Sequence, residues 1–492
     1  TNTDMNFSKK FGVTDKTISF LQKVSDSLNT VIVIFGSPYI IDRFNKIDKF
    51  KSIVISYEDK KAVQSITAQL IFGAIPSKGK LTVTSFNREI KNNFGIKTNN
   101  IVRTKYTIPE EIGIKSVQLY AIDSIINNAL AEKAFPGCVV YIAKDNKVFF
   151  HKAYGNITYE DSTKLMTNNI FDLASITKIA ATTPMIMNLY EKNKIKLNDP
   201  LSNYLPEFKI HDKKKIRIID IMTHQSGLQP VVDINNLLFG NNHNNKKTNN
   251  KPTYNRSKSL LSKHNLFRST PSDTFCIQIA DSIYVKPSIN DSITSWITNS
   301  KLLPEKKYKY SDVGFIVLAK AAEYLTNDRL DWWSEKEIYK SLGANSLTFI
   351  PLQKFDRSII VSSENDTLYR KQILRGYVND PVAGIMGGIA GHAGLFGNAN
   401  DLGKLMHMYL NKGYYGGKRY FKPKTIEYFT SRPFQKKGNR RGIGFDKPEP
   451  DTTKQSPVSS FCSDKSYGHT GFTGVMTWVD PEYNLVYVFL SN

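Results

Sequence analysis

The sequence predicts an α/β layer over roughly the first hundred residues, followed by an α+β domain with an antiparallel sheet. Two observations support this division. Strand and helix signals alternate up to about residue 100. After residue 109, a helix and a hairpin are followed much later by two apolar strands, which predicts one sheet built from both ends of the domain. A chain of 492 residues is also longer than one hydrophobic core normally supports.

The first unit has the pattern of an α/β layer. Residues 31–35 and 52–57 are short apolar runs rich in β-branched side chains, which predicts two strands. Residues 62–72 carry apolar side chains at helical spacing, and glycine and proline in residues 73–76 end that helix. This part of the sequence shows no cluster of catalytic side chains.

The second unit begins near Pro109 and has strand signals at both ends. A helix is predicted over residues 112–131, followed by a hairpin over residues 138–150. Residues 474–480 and 485–490 form a second apolar strand pair. We expect these strands to pair in one antiparallel sheet, and the residues between the two ends to form a mainly helical region.

The charge of the chain does not indicate a nucleic-acid partner. There are 67 lysines and arginines against 44 acidic residues, a net charge of +23. The basic residues are scattered, and many stand beside asparagine instead of forming a block interleaved with aromatics. We therefore attribute the charge to a composition rich in lysine and asparagine. Residues 241–251 are the strongest example and are predicted to form a surface loop.

No membrane span, metal or cofactor is predicted. No apolar run approaches the roughly 18 residues that a transmembrane helix needs. The three cysteines lack CxxC spacing and are expected to be buried thiols, and the eight histidines include no HExxH pair. The first residues show neither an initiator methionine nor a signal pattern, so Thr1 is interpreted as a cut end.

Ser175 and Lys178 form the first element of a candidate catalytic site. They lie in Ala-Ser-Ile-Thr-Lys (174–178), ahead of the apolar residues 179–190, and so at the start of a predicted buried helix. Residues three apart share a helix face, so the amine of Lys178 can reach the hydroxyl of Ser175. A serine needs a base to become a nucleophile, and burial near a helix N-terminus is expected to lower the pKa of Lys178 for that role.

Tyr310 and Asp312 form the second element. Tyr-Ser-Asp (310–312) precedes the apolar residues 313–321, which predict a helix. A tyrosine at this place can relay protons between Lys178 and a leaving group. The alternative is a packed tyrosine at a helix start, with Asp312 as its cap.

His469, Thr470 and Gly471 form the third element, at the start of a final strand. Glycine lets a substrate backbone lie close, and the amide of Phe472 can face a developing oxyanion together with the amide of Ser175. Alone, His-Thr-Gly would be only a turn. We do not expect all three elements to occur together by chance in this order and spacing.

Residues 109–492 resemble the serine β-lactamase-like hydrolases, which include class C β-lactamases, penicillin-binding proteins, D-alanyl carboxypeptidases, related esterases and N-acetylmuramyl-L-alanine amidases. The resemblance implies Ser175 as acylated nucleophile, Lys178 as base, Tyr310 as relay, and the amides of Ser175 and Phe472 as oxyanion hole. It also implies a further helix beyond the last residue. The motifs that carry it are Phe-Pro-Gly-Cys (135–138), Ala-Ser-Ile-Thr-Lys (174–178), Met-Thr-His-Gln-Ser-Gly-Leu (222–228), Tyr-Ser-Asp (310–312), Gly-Gly-Ile-Ala-Gly-His-Ala-Gly-Leu-Phe (387–396) and His-Thr-Gly (469–471).

Two positions depart from the class C pattern. Those enzymes usually carry Asn where Asp312 stands and Lys where His469 stands. A fixed cation for a substrate carboxylate is thus replaced by a group whose charge depends on pH. Peptide, amide or ester cleavage is therefore favoured over β-lactam hydrolysis. His224 and His392 lie in family loops and are interpreted as structural.

Residues 1–105 resemble the C-terminal α/β sandwich domain of family-3 β-N-acetylglucosaminidases. The motifs are Phe-Gly-Ser-Pro-Tyr (35–39), Ser-Tyr-Glu-Asp (56–59) and the residues 70–81. Some Bacteroidetes-type bacteria fuse such a glycosidase to a β-lactamase-like module. The barrel that carries the glycosidase chemistry is missing from this chain. The resemblance therefore implies a bifunctional parent protein, a β-N-acetylhexosaminidase as well as a hydrolase, in carbohydrate metabolism and peptidoglycan turnover.

Three hypotheses for the function follow. The leading one is an amidase or peptidase that forms an acyl-enzyme with peptidoglycan-derived muropeptides, in the periplasm or cell envelope. The second is an esterase or D-amino-acid peptidase, and the third is a catalytically silent module that binds cell-wall peptide. β-Lactamase or D,D-carboxypeptidase activity is a further alternative. In each case the expected partner is a small molecule or a cell-wall peptide or glycan.

Overall fold

The computed structural model describes residues 7–86, 90–98, 103–160, 162–209, 211–239 and 260–492. The chain divides into two units, Thr1–Lys105 and Tyr106–Asn492. The loop predicted over residues 241–251 lies outside the described residues. Within the described ranges, every helix is too short or too polar to cross a bilayer.

The first unit contains a two-stranded parallel sheet and two helices in its described part. Helix α1 (Asp15–Ser27) precedes strand β1 (Val31–Ile34), and strand β2 (Ser52–Ile55) precedes helix α2 (Lys61–Ile71). Apolar side chains of the sheet, such as Ile32, are buried in the hydrophobic core of this unit. The predicted strands and helix lie where the apolar patterns placed them, but these elements do not confirm an α/β sandwich domain.

The second unit contains eleven helices and sixteen strands in its described part. The helices are α3 (Tyr120–Ala131), α4 (Thr183–Glu191), α5 (Ile218–Met222), α6 (Ile234–Phe239), α7 (Ile289–Asn299), α8 (Asp312–Thr326), α9 (Leu330–Ser334), α10 (Lys340–Leu342), α11 (Pro381–Ile385), α12 (Ala399–Leu410) and α13 (Pro423–Phe429). The strands are β3 (Lys105–Tyr106, at the boundary of the units), β4 (Gly137–Lys144), β5 (Lys147–Gly155), β6 (Phe171–Asp172), β7 (Phe267–Arg268), β8 (Ile277–Ala280), β9 (Ile283–Val285), β10 (Thr348–Phe349), β11 (Ser362–Asp366), β12 (Gln372–Arg375), β13 (Leu395–Gly397), β14 (Tyr414–Tyr415), β15 (Lys418–Arg419), β16 (Tyr467–Gly471), β17 (Val475–Asp480) and β18 (Leu485–Ser491).

Strand β18 joins the two ends of the second unit. It pairs antiparallel with β17, where Phe489 is opposite Met476, and with β4, where Phe489 is opposite Val140. The strand order of this sheet is β16-β17-β18-β4-β5-β3. The sheet predicted from the two separated strand pairs is therefore confirmed.

Alternate side chains of this sheet enter two different cores. Tyr141 and Val488 face the large core shared with the helical region. Val140 and Phe489 face the opposite side, where Ile126 of α3 packs. Since successive residues of a strand point to opposite faces, both faces of β4 and β18 are apolar. Full burial of each such side chain contributes about 1.5–3 kcal/mol to folding.

The helical segment that follows Ser175 is less regular than the predicted single helix. It starts as a 3₁₀ turn (Ala174–Ile176), continues as a π-helical turn (Lys178–Thr182) and only then becomes α4. Pro184 has no N–H to donate to the carbonyl of Ala180 four residues earlier, so an α-helix is interrupted at this point. The hydroxyl of Tyr339 donates to that carbonyl instead, at 2.8 Å.

The three cysteines occupy different environments. Cys138 is buried on β4, Cys462 is half-buried and Cys276 is exposed. The expectation of buried thiols is therefore wrong for Cys276, because it stands in the loop that leads into β8 and not on a core-facing strand position.

Candidate active site

Lys178 lies at the centre of the candidate site. Its Nζ donates to Ser175 Oγ at 2.8 Å and to the carbonyl of His392 at 3.0 Å. The same Nζ lies 2.7 Å from Oδ1 of Asp312, in an ion pair. The side chain of Lys178 is 0% exposed, so its amine meets these three oxygens and no solvent.

The charge state of Lys178 differs from the sequence-based expectation. Burial lowers the pKa of the amine, as expected. The Coulombic attraction of Tyr310 and Asp312, with their hydrogen bonds, outweighs burial, and the pKa of Lys178 is raised overall. The expected lowering of this pKa is therefore wrong, because Asp312 lies close enough to stabilise the ammonium form.

Tyr310 contacts the nucleophile from a second direction. Its hydroxyl donates to Ser175 Oγ at 3.0 Å, and Nζ of Lys178 lies 5.1 Å from the centre of its ring. The ring stacks on the imidazole of His224, with centroids 4.5 Å apart. Nδ1 of His224 accepts the backbone N–H of Ser311 at 3.1 Å, which holds the imidazole in place. Ser175 Oγ thus lies between an amine and a phenol.

A buried aspartate holds the turn that carries Ser175. Oδ1 of Asp172 accepts the N–H of Ala174 at 2.8 Å, and Oδ2 accepts the N–H of Asn379 at 2.7 Å. Ala174 has a φ of 43°, in the left-handed region that costs a non-glycine residue about 1–2 kcal/mol. Burial raises the pKa of Asp172 to about 6, although the two N–H donors act in the opposite direction. Through its two hydrogen bonds, Asp172 holds a strained turn immediately before the nucleophile.

Gly471 brings strand β16 against the same turn. A Cβ at this position would lie 2.9 Å from the carbonyl oxygen of Leu173 and 2.5 Å from Cγ2 of Val475. Only glycine fits such a close approach without displacing backbone. Phe472, the next residue, is 88% exposed. The end of β16 therefore lies beside the Ser175 turn, which is the arrangement that an oxyanion hole from two facing amides requires.

His469 is engaged with the protein on both sides of its ring. Nδ1 donates to the carbonyl of Thr470 at 2.6 Å, and Nε2 accepts from Nη2 of Arg441 at 3.1 Å. Burial and the charge of Arg441 lower the pKa of His469 well below its usual value. The imidazole is therefore neutral at neutral pH, and it does not provide the pH-dependent cation that the sequence suggested. Thr470, by contrast, exposes its side chain.

Arg441 is a buried cation beneath the site. Its side chain is 1% exposed, and Nη1 lies 3.1 Å from Oδ2 of Asp446. Arg440 binds the other oxygen of Asp446 at 2.9 Å. The guanidinium carbon of Arg441 lies 5.8 Å from the centre of the Tyr310 ring, and Nη2 lies 3.3 Å from Nε2 of His224. Arg441 thus contacts both imidazoles that border Tyr310.

A histidine–carboxylate pair supports Lys178 from the loop that contains His392. Nε2 of His392 lies 2.9 Å from Oδ1 of Asp380, which also accepts the N–H of Ala383. Burial raises the pKa of Asp380, but the charge of His392 and these hydrogen bonds outweigh burial and hold the pKa at about 2. The pair fixes the loop whose carbonyl accepts a hydrogen bond from Lys178.

The structure brings the sequence-predicted residues together. Ser175 contacts Lys178 and Tyr310, and Lys178 also pairs with Asp312. His469 and Gly471 border this group. Sequence reasoning missed the supporting residues Asp172, Asp380 and Arg441. A lone acidic residue in the apolar run Phe-Asp-Leu-Ala is a signal for Asp172. Arg441 follows Lys-Lys-Gly-Asn-Arg, which is typical of a solvated surface, so the sequence offers no signal for it.

Among the described residues, no cluster of His, Cys, Asp and Glu is arranged to hold a metal.

This fold and this arrangement of side chains define the class of β-lactamase-like serine hydrolases. The family model described as Beta-lactamase matches residues 122–492, and the chain belongs to that family. A Salmonella agona protein named "Putative D-alanyl-D-alanine carboxypeptidase" is 31% identical over 409 residues, which cover 78% of this chain and 84% of that protein. The Salmonella gallinarum protein of the same name is equally similar.

Solved structures share the fold. EstCE1, a hydrolase with promiscuous acyltransferase activity, aligns with a TM-score of 0.54 at 19% identity, over 76% of this chain and 92% of its own. The octameric penicillin-binding protein homologue from Pyrococcus abyssi aligns with a TM-score of 0.53 at 18% identity, over 77% of this chain and 74% of its own. These structures support a β-lactamase and penicillin-binding protein fold.

Proposed function

We propose that the second unit hydrolyses an amide bond of cell-wall peptides through an acyl-enzyme on Ser175. The observation that carries this proposal is the position of Ser175 Oγ, 2.8 Å from Nζ of Lys178 and 3.0 Å from the hydroxyl of Tyr310. A hydroxyl between two such groups can lose its proton to one and leave the other to protonate the leaving group.

The reaction takes two steps. Once the Lys178–Tyr310 pair has lost one proton, it accepts the proton of Ser175 as Oγ attacks the carbonyl carbon. The oxyanion then faces the amides of Ser175 and Phe472. Tyr310 returns the proton to the leaving nitrogen as the C–N bond breaks. Water, deprotonated by the same pair, hydrolyses the acyl ester and releases Ser175.

The substrate class is supported by the relatives and by the site. The curated relatives are named for action on D-alanyl-D-alanine, which supports a cell-wall peptide. His469 is neutral and engaged on both sides, so this strand position offers no charge for a free substrate carboxylate. That favours an internal amide, such as the one joining stem peptide to a lactyl group, over a terminal D-alanine. The N-terminal resemblance supports a parent protein that also carries a glycosidase barrel, in the cell envelope.

Ester hydrolysis is the second candidate function. It is favoured by the same absence of a charged group at His469, because small esters need no carboxylate subsite. A panel of nitrophenyl esters beside a MurNAc-peptide separates the two candidates.

The test is mass spectrometry of the full chain incubated with a muropeptide mixture. We expect release of peptide and a mass increase on Ser175, and labelling of Ser175 by a fluorophosphonate. Ser175→Ala abolishes both, whereas Ser65→Ala, at an exposed serine of α2, leaves both unchanged. Labelling without peptide release would reject the amide substrate. Neither labelling nor turnover in the native chain would reject the hydrolase and favour a silent binding module.

A further inference from the structure

An open groove of about 790 Å³ lies between helices α6 and α7. It has no part in the catalytic contacts described above. The side chains that give it its chemistry are Gln229, Asn236, Ser295, Trp296, Asn299 and Lys301.

The lining combines carboxamides and hydroxyls with one indole. Within the described chain, the Trp296 indole N–H and the Asn236 carboxamide make no hydrogen bond, so both are available to a ligand. Asn299 uses its Nδ2 on the carbonyl of Ser295 at 2.8 Å, which leaves its oxygen as an acceptor. Trp296 packs part of its ring on the core and is half-buried, so its position is fixed.

The groove is built onto the same loop as the catalytic tyrosine. Nε2 of Gln229 donates to the carbonyl of Lys301 at 2.7 Å, at the edge of the groove. The backbone carbonyl of Gln229 accepts from Ser311 Oγ at 2.7 Å, and Ser311 directly follows Tyr310. Gln229, which lines the groove, is therefore joined through Ser311 to Tyr310, whose hydroxyl contacts Ser175 Oγ.

We propose that this groove binds a sugar ring of the glycan to which the scissile peptide is attached, specifically an N-acetylated hexose. The proposal rests on the function proposed above. An indole face packs against the C–H face of a pyranose, while amides and hydroxyls pair with its hydroxyl and acetamido groups. The groove carries one basic and one acidic residue, Lys301 and Asp291, which does not suit a phosphate-rich ligand. Its two apolar side chains, Leu237 and Trp296, are too few for a protein-binding core.

Binding is tested first, on the Ser175→Ala chain titrated with tri-N-acetylchitotriose and followed by tryptophan fluorescence and ligand-observed NMR. We expect saturable binding that weakens at least tenfold in Trp296→Ala and Asn236→Ala. Trp332→Ala is the matched control, because Trp332 is 67% exposed and lies outside the groove. Unchanged affinity in both groove variants, with unchanged thermal unfolding, would overturn the proposal, as would no binding in any chain.

Catalysis is tested on a disaccharide-peptide and on the same peptide without sugar. We expect the native chain to favour the disaccharide-peptide through a lower KM. Trp296→Ala and Asn236→Ala should remove that preference and leave nitrophenyl-ester hydrolysis unchanged. A preference retained by both variants would overturn the sugar site while the hydrolase stands. Chitotriose binding at the groove without cleavage of either peptide would instead reject the proposed amide substrate and keep the sugar site.

Discussion

Nη2 of Arg441 donates to Nε2 of His469 across 3.1 Å, and neither side chain is more than 2% exposed. The guanidinium therefore occupies Nε2 of His469, so this nitrogen has no lone pair left for another donor. The negative charge of Asp446 compensates the positive charge of Arg441. The interaction makes His469 a fixed, neutral part of the wall beside Tyr310.

Replacing Arg441 should damage both stability and activity. In Arg441→Met, Asp446 keeps Arg440 and the N–H of Lys447 but loses one of its two arginines, so the charge of the buried carboxylate is partly uncompensated. We expect the free energy of unfolding to fall by about 3 kcal/mol and kcat to fall about tenfold as Tyr310 loses its support. Urea denaturation and ester hydrolysis measure the two effects. The control is Arg329→Met, which breaks an Arg–Asp pair whose arginine is 61% exposed and should change stability by less than about 1 kcal/mol. Equal losses in the two variants would contradict a special role for burial.

Asp312→Asn should shift the pH dependence of kcat/KM to lower pH. Asp312 raises the pKa of Lys178, and the amine accepts a proton only in its neutral form. Without the carboxylate the pKa of Lys178 falls, so the neutral amine is reached at lower pH. The measurement is the pH–rate profile of ester hydrolysis from pH 5 to 10. Asp331→Asn, which removes the carboxylate that pairs with the exposed Arg329, is the control. A profile unchanged by Asp312→Asn would show that Lys178 does not titrate in the reaction.

Asp172→Asn should remove a pH dependence of stability. Burial raises the pKa of Asp172 to about 6, so the folded chain binds this proton more tightly than the unfolded chain does. The stabilisation is present below the usual value near 4 and is lost as pH rises through about 6. The Tm of the native chain minus that of the variant should therefore decrease from pH 4 to pH 7. Asp26→Asn, at an exposed position of α1, should show no such trend. A constant difference for Asp172→Asn would mean that folding does not raise the pKa of Asp172.

Gly471→Ala should separate β16 from the nucleophile. The new Cβ would meet the carbonyl of Leu173 at 2.9 Å and Val475 at 2.5 Å, so backbone must move. We expect kcat to fall at least about 100-fold, as for the loss of an oxyanion donor, and stability to fall by about 1–3 kcal/mol. Gly79→Ala is the control, because nothing lies within 4 Å of its added Cβ. Full activity of Gly471→Ala would contradict an oxyanion hole at this strand.

The parts of the fold that sequence patterns predicted are those with a local signal. Strands β4, β5, β17 and β18 have apolar runs bounded by turn residues, so their positions follow from neighbours in the chain. The contact of Ser175 with Lys178 follows from their spacing in the chain. Tyr310 contacts Ser175, at the position that the resemblance implied for a relay.

The parts that were not predicted depend on partners distant in sequence. In the π-helical turn after Ser175, the hydroxyl of Tyr339 donates to the carbonyl of Ala180, for which Pro184 has no N–H. The raised pKa of Lys178 depends on the distance to Asp312, which the spacing of the two motifs does not reveal. Arg441 stands among lysines and glycines, and the partners it meets in the core, His224, Asp446 and His469, are distant motifs or polar residues that give no local signal of burial.

The position of β18 sets the order in which the enzyme can mature during synthesis. β16 reaches β4 and the rest of the sheet only through β17 and β18. A nascent chain that has exposed Ser175 and Tyr310 therefore still lacks the strand that holds Gly471 against them. We therefore expect hydrolytic competence only after residues 485–491 have left the ribosome, so that translation delays the chemistry until β16 is held in the sheet.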